Sequence, residues 1–323
     1  MKKIKLAVCA TLLAGLSVMG AIAAEFPEKP IRIIVPYAPG GGGDILARMY
    51  ADKLKTELGQ PVIIDNKPGA GTLIGSELVA KAPADGYTLL FTTNSVLIAP
   101  ILNAAAAKFD PIKDLTPVVP IGSIAMVLVA HPAVPANTSA ELVAYLKKNP
   151  GKVSFASSGT GGITHLAGEL FKTKAGVTMT HIPYKGAAGS FVDLIGGRID
   201  AMFQPIHASL TYLQQGKLRM LAILADSRSA VVPNVPTMKE AGYPNVQLEN
   251  WYGILAPAAT PRDIVARLNS EINAQLSTAA VKEELAKQGL ATVGGSPSRL
   301  EEVIRSELVR WARVVEKGNI KAE

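Results

Sequence analysis

Two glycine-rich loops hold the residues best placed to do chemistry. Gly40 to Gly43, followed by Asp44, and Ser157-Ser158-Gly159-Thr160-Gly161-Gly162 each stand between a short β-branched run and a helical stretch. They lie 118 residues apart, counted from Gly41 to Gly159. A helix N-terminus presents unpaired N–H groups and the positive end of the helix dipole. Glycines let a ligand come close to that backbone. Two such termini facing one another would grip a single anion from both sides of a cleft; the plain alternative is a pair of tight strand-to-helix turns.

The same residues can be tried against other chemistries. A Walker phosphate loop needs Gly-Lys-Ser/Thr, which neither loop contains. A dinucleotide fingerprint beginning at Gly41 needs a small residue at position 46, which is Leu46. Ser158 sits where a nucleophile elbow would place a serine, but the G-x-S-x-G pattern lacks its first glycine. His165, His181 and His207 lie downstream as conceivable bases, while His131, before Pro132, reads as a loop residue. An exported serine esterase using Ser158 is therefore the alternative reading. No H-E-x-x-H, His-x-His or acidic cluster has metal-site spacing, so neither metal nor cofactor is expected. With no convincing catalytic constellation, the Ser158 hydroxyl reads better as a ligand donor.

The elements that position these loops alternate strand and helix, the pattern of a parallel sheet covered by helices. Strands are expected at Ile31–Val35, Val62–Ile64 and Tyr87–Phe91, with helices from about Ile45 to Leu58 and through Leu78 and Val79. Thr92 to Ser95 closes the third strand. A second set of units begins near Ile124. It has strands at Met126–Val129, Val153–Phe155, Thr180–Ile182 and Ala201–Phe203, and helices at Ser139–Lys148, through His165 to Phe171, and at Phe191–Ile195. A strand at Arg219–Leu224 leads back toward the first set. Trp251–Leu255 and helices near Pro261–Ser277 and Ser298–Val315 complete the chain. This divides it into an N-terminal signal, a discontinuous first domain (25–123 plus 226–323) and a second domain (124–225).

The signal is residues 1–24. Lys2, Lys3 and Lys5 precede an uncharged stretch from Leu6 to Ile22, and Ala21-Ile22-Ala23 supplies small residues at the cleavage positions. Cleavage before Ala24 is expected, with cleavage after it as the runner-up; a membrane anchor is the competing reading. No later segment stays uncharged long enough to span a bilayer. The one cysteine, Cys9, goes with the signal, so the mature chain is expected to lack thiols and disulfides. Cleavage also leaves 30 basic against 26 acidic residues. No Lys/Arg cluster with interleaved aromatics supports nucleic-acid binding. At 48% hydrophobic and 18% charged, the chain has ample material for two cores and is no candidate for disorder.

Seven segments in order carry a resemblance. They are Pro30 to Gly41 (Pro-Ile-Arg-Ile-Ile-Val-Pro-Tyr-Ala-Pro-Gly-Gly) with Asp44 and Arg48; Asn66-Lys67-Pro68-Gly69-Ala70-Gly71; and Ala82-Pro83-Ala84-Asp85-Gly86-Tyr87-Thr88-Leu89. Then come Ser157 to Gly161; Pro183-Tyr184-Lys185-Gly186; Val235-Pro236-Thr237-Met238-Lys239-Glu240-Ala241-Gly242; and Trp251-Tyr252-Gly253-Ile254-Leu255-Ala256-Pro257. The chain resembles the periplasmic solute-binding receptors of tripartite tricarboxylate transporters, the Bug family, from its signal to its last helix. The resemblance implies an α/β, two-domain periplasmic-binding-protein (Venus flytrap) fold, each domain a mostly parallel sheet flanked by helices. It implies a monomer that closes over a small organic carboxylate and docks on a membrane permease.

Carried over by position, the ligand-binding candidates are Tyr37, Ala38, Gly41, Gly42 and Asp44 in the first loop, and Ser158, Gly159, Thr160, Gly161 and Thr164 in the second. Tyr37 and Asn94 are expected as wall residues, although a core role suits Tyr37 equally and Trp251 reads as core. A carboxylate at Asp44 would repel a bound acid, so its expected role is structural: helix N-cap, or acceptor fixing the loop. Where many members of the family have Asp after the strand ending at Phe203, this chain has Gln204, which is neutral. That favours a ligand without a free amine, a dicarboxylate or an aromatic acid rather than an amino acid. Hinges are expected near Ile121–Ile124 and Leu224–Ser227.

Overall fold

The computed structural model describes residues 26–318 and 320; the signal segment, Cys9 included, lies outside them. The first units are β1 (Ile31–Val35), α1 (Gly42–Leu58), β2 (Val62–Asn66), α2 (Leu73–Ala80), β3 (Thr88–Thr93) and α3 (Ser95–Leu102). The long strand β4 (Leu115–Ala130) leads to α4 (Ser139–Lys148), β5 (Ser154–Ser157), α5 (Ile163–Ala175), β6 (Thr180–Pro183) and α6 (Ala187–Ile195). After these come β7 (Ala201–Pro205), α7 (Ile206–Gln214), β8 (Arg219–Ile223) and β9 (Glu249–Pro257). The chain ends with α8 (Arg262–Ser277), α9 (Ala279–Lys287), β10 (Leu290–Thr292) and α10 (Pro297–Gly318). No helix among the described residues is long and apolar enough to cross a membrane.

Local chemistry explains the ends of these elements. α4 starts where the Thr138 hydroxyl accepts from Glu141 N–H at 3.1 Å while the Glu141 carboxylate accepts from Asn137 N–H at 2.7 Å. That reciprocal arrangement satisfies donors a helix leaves unpaired. Lys147 and Lys148 occupy its last turn, against the negative dipole end.

The sheet runs β2-β1-β3-β9-β4-β7-β5-β6, with β8 and β10 also paired to β4. Its flanks, β2-β1-β3 and β7-β5-β6, are parallel, as the strand–helix alternation requires. They are joined by antiparallel pairings of β9 with β3 and of β4 with β9 and β7. β4 thus belongs to both flanks: Leu115 to Ala125 pair with β9, and Met126 to Ala130 pair with β7. Beside that changeover three passages of the chain meet. Leu224 N–H donates to Met126 C=O at 2.8 Å, Leu248 N–H to Leu224 C=O at 2.6 Å, and Met126 N–H to Leu248 C=O at 3.3 Å.

The expected strand at Met126–Val129 proves to be the end of a 16-residue strand. Pro117, Pro120 and Gly122 hide its first part from a pattern reading, and the sheet accommodates them by shifting register between Pro117 and Val119 and between Pro120 and Gly122. Helix α3 is apolar nearly throughout and carries Pro100, so it shows no amphipathic period; it is a buried helix where the sequence reading stopped at a strand end. α7, α9 and β10 are likewise additional to that reading.

The last helix ties the molecule together. Leu300 and Ile304 of α10 pack among Ile34, Leu90, Leu97 and Trp251. About two turns further along the same face, Trp311 is buried in the cluster that holds Phe155, Phe171 and Phe203.

Candidate functional site

A cavity of about 380 Å³ opens between the loops of the two flanks. Gly41 and Gly159 both line it, so the two glycine loops share one crevice. Of the sequence-derived candidates, Tyr37, Ala38, Gly41, Gly42, Ser158, Gly159, Thr160, Gly161, Thr164 and Gln204 line this cavity, whereas Asp44 and Asn94 do not. Residues that sequence reasoning did not single out also line it, among them Gly71, Thr93, Ser95, Asn103, Lys185, Asn250 and Tyr252.

The first loop owes its shape to a polar triangle. The Asp44 carboxylate, 3% exposed, accepts from Gly40 N–H at 2.9 Å, Arg48 Nε at 3.0 Å and Asn66 Nδ2 at 2.8 Å. Asn66 also accepts from Arg48 Nη2 at 2.8 Å and donates to Tyr37 C=O at 3.0 Å. Burial alone would raise the Asp44 pKa, but Arg48, Gly40 N–H and Asn66 outweigh it and hold the carboxyl below its ordinary range. Asp44 is therefore a loop-fixing acceptor. It is not the N-cap, which is Gly41, because α1 begins three residues earlier than the periodicity suggested. The N–H groups of Gly42 and Gly43 fall in the first turn of α1, where a helix supplies no acceptor. Tyr37 is half-buried, its hydroxyl 2.8 Å from Thr93 Oγ1.

Asn94 is withdrawn from the cavity by better partners. Its Nδ2 donates to the Glu307 carboxylate at 2.8 Å, and its Oδ1 accepts from Trp251 N–H at 3.0 Å. Trp311 Nε1 donates to the same carboxylate at 2.7 Å. The amide is a clamp between β9 and α10 and is fully buried; Trp251, at 8% exposed, is core as expected.

The second loop has the expected position but spends most of its amides internally. Ser158 N–H donates to Thr164 Oγ1 at 3.0 Å, Gly159 N–H to Ser157 Oγ at 3.2 Å, and Gly161 N–H to His165 Nδ1 at 3.3 Å. Ile163 N–H, the first of α5, donates to Ser95 Oγ at 3.1 Å. The two loops therefore offer different chemistry. The first presents helix N–H groups; the second presents mainly hydroxyls, from Ser158, Thr160 and Thr164.

The Ser95–Ile163 bond also crosses the cavity, from the start of α3 to the start of α5. Beside it, Gly71 (φ 67°) lies so near the second loop that a Cβ there would stand 2.5 Å from Thr160 C=O. A Cβ on Gly42 would stand 2.4 Å from His207 Nε2. Gly71 and the second loop are thus in close backbone approach across the cavity, and Gly42 packs on the His207 ring.

Among the described residues lining the cavity, Lys185 is the one cation and no carboxylate occurs. The helix dipoles and this ammonium leave the site electropositive. A serine–histidine pair does exist, but it joins Ser157 Oγ to His181 Nε2 at 2.7 Å, and Ser157 is wholly buried and outside the cavity lining. His181 is held neutral, its pKa pushed down to about 4 by burial and by Lys172.

Comparison with known proteins places this geometry. The sequence model of the tripartite tricarboxylate transporter family receptor matches residues 46–320. Protein BugT of Bordetella pertussis (strain Tohama I) is 39% identical over 318 residues, covering 98% of both chains. Rpa4515 of R. palustris, solved with adipate, is 33% identical with a TM-score of 0.89 over 92% of this chain and 99% of its own. MatC from Rhodopseudomonas palustris, solved with bound malate, is 31% identical with a TM-score of 0.85 over 90% and 100%. The family and its structural neighbours are solute-binding receptors, not enzymes, and the fold is the expected periplasmic-binding-protein architecture. A match sustained from the first glycine loop into the last helix means that this chain belongs to the tripartite tricarboxylate transporter receptors, the Bug-type periplasmic solute-binding proteins.

Proposed function

We propose that the protein captures a small organic carboxylate in the cleft and delivers it, as a monomer, to the membrane permease of a tripartite tricarboxylate-type transporter. The observation that carries this reading is the cavity itself. It is lined by the first turn of α1, by hydroxyl side chains of the second loop and by Lys185, with no carboxylate among its described lining residues. One carboxylate of the ligand accepts from Gly42 and Gly43 N–H at the α1 terminus, with Tyr37 and Ala38 alongside. Ser158, Thr160 and Thr164 hydroxyls approach it from the other side, while Gly159 and Gly161 keep the loop slender. Each such charge-assisted bond contributes about 1.5–3 kcal/mol net. A few of them reach the roughly −8 kcal/mol of micromolar binding after the cost of closure.

An ammonium group would find no carboxylate to pair with, so a dicarboxylate or an aromatic acid is favoured over an amino acid. The adipate and malate held by the two related structures are of the dicarboxylate class. Closure runs about the meeting of β4, Leu224 and Leu248, between a domain of residues 25–123 and 226–323 and a domain of 124–225. The permease senses the closed form. Export follows from signal cleavage near residues 23–24.

Thermal-shift screening of the mature protein against a carboxylic-acid library, followed by isothermal titration calorimetry, tests the reading. Dicarboxylates should raise the melting temperature and bind with stoichiometry one. Stabilisation by amino acids alone would refute the ligand class, and no response to any carboxylate would refute the function.

A further inference from the structure

A second cavity, of about 370 Å³, lies between α5 and α10 and shares no lining residue with the cleft. Ser306, Val309, Arg310, Arg313 and Val314 line it from α10, and their i, i+3, i+4, i+7, i+8 spacing is that of a single helix face. At 3.6 residues per turn this face lies opposite the one that buries Leu300, Ile304 and Trp311. A helix face turned away from the core is ordinarily polar. Here it carries Val309, left 52% exposed, and Val314. Leu170 and Lys174 form the facing wall on α5. Ile320, whose N–H donates to Val315 C=O at 3.0 Å, joins the lining from beyond α10.

The groove is charged with one sign. Lys174, Arg310 and Arg313 line it, and no carboxylate occurs among its described lining residues. Arg310 is engaged, donating to the Glu307 carboxylate and to Gln247 C=O at 3.0 Å each. Among the described residues neither Lys174 nor Arg313 has a carboxylate partner. An apolar strip between unpaired cations matches an amphipathic helix that lays its apolar side on Val309 and Val314 and sets its carboxylates against Lys174 and Arg313. A lipid surface is the poorer match, since headgroup recognition relies on clusters of about 4–8 cations rather than on a concave groove. The groove is also tied to the cleft. α5 begins with Ile163 and Thr164, which line the ligand cavity, and Lys174 stands roughly 15 Å further along the same helix. A partner seated in the groove therefore rests on the helix that carries the second loop. We propose that the α5–α10 groove is where an acidic, amphipathic helix of the membrane permease docks. This rests on the receptor reading above and adds to it the surface used and the chemistry of the partner.

The test pairs uptake with binding. A strain of the source bacterium lacking this receptor is complemented with wild type or with the double variant Lys174→Glu, Arg313→Glu, and uptake of radiolabelled succinate, malate and adipate is followed. The charge-reversed receptor should lose about tenfold in uptake rate at limiting solute, while its calorimetric affinity for the same acids and its melting temperature stay unchanged. Arg313→Lys, which keeps the charge, should transport as wild type does. A photoreactive p-benzoylphenylalanine in place of Val309 should crosslink to a permease subunit, in a segment rich in Asp and Glu. Undiminished uptake by the double variant, or a crosslink to no permease subunit, would overturn the inference and leave the receptor reading intact. So would a loss of solute affinity that matches the loss of uptake, because the groove would then act on binding rather than on docking. Pelleting of wild type, but not of the double variant, with protein-free phosphatidylglycerol vesicles would assign the groove to lipid and overturn it as well. If wild type binds no carboxylate, the receptor reading falls and this inference falls with it.

Discussion

The hydrogen bond from Ile163 N–H to Ser95 Oγ joins the two sides of the cleft at 3.1 Å, between residues 68 apart in the chain. Ser95→Ala removes the acceptor and little else. When the cleft is open, both groups meet water, so the bond favours only the closed form. A neutral hydrogen bond of this kind contributes about 0.5–1.5 kcal/mol net, which lowers the closing equilibrium about 2- to 13-fold. With binding coupled to closure as proposed, the apparent Kd rises by the same factor. Calorimetric titration of wild type and variant with several dicarboxylates measures it, and small-angle scattering follows closure directly. The penalty should be the same for every ligand, since the lost bond is protein to protein. A penalty that differs from ligand to ligand would show that Ser95 acts by touching the solute, and no penalty would refute its role in closure.

Other perturbations separate architecture from binding. Asn94→Ala breaks the links to Glu307 and to Trp251 N–H; chemical denaturation should show a loss of about 2–4 kcal/mol, with the ranking of ligands unchanged. Asp44→Asn should loosen the first loop and weaken carboxylate binding at neutral pH. The wild-type carboxyl sits below its ordinary value, so its contribution is present above about pH 4 and is lost as the pH falls through the folded pKa. His207 is neutral because burial pushes its pKa from 6.5 down to about 4, and His181 behaves alike. Between those values the unfolded chain binds more protons than the folded one. Stability should therefore fall as the pH drops from 6.5 to 4, by about 3 kcal/mol for each histidine. Melting curves across that window should flatten in His207→Gln.

Much of the fold is written locally. Strands β1, β2 and β6 and helices α1, α4 and α5 follow from β-branched runs, apolar periodicity and Gly or Thr at the ends, because each signal lies within a few residues of the element it specifies. The changeover in β4 does not follow, since Pro117, Pro120 and Gly122 interrupt its pattern and its pairing with β9, β7, β8 and β10 defines it as one strand. α3 escaped for a related reason: a helix that is apolar from Val96 to Leu102 has no polar face to reveal its period.

The candidate site divides in the same way. The residue types Gly40 to Gly43 and Ser157 to Gly162, at the head of helical stretches, by themselves call for close backbone approach and a group that accepts from N–H. Which amides stay available is a tertiary matter. Ser157, Thr164 and His165 turn back on the second loop and Ser95 reaches across to it, so most of its amides are satisfied within the protein. Asn94, polar and at a strand end, looked like a wall residue until Glu307, 213 residues away, took its amide. Sequence sets the chemistry each residue carries, since that is a property of the side chain and its immediate backbone. Only the folded chain sets which partner it finds, because the strongest competitor for a hydrogen bond can lie anywhere in the sequence and is brought near by packing alone.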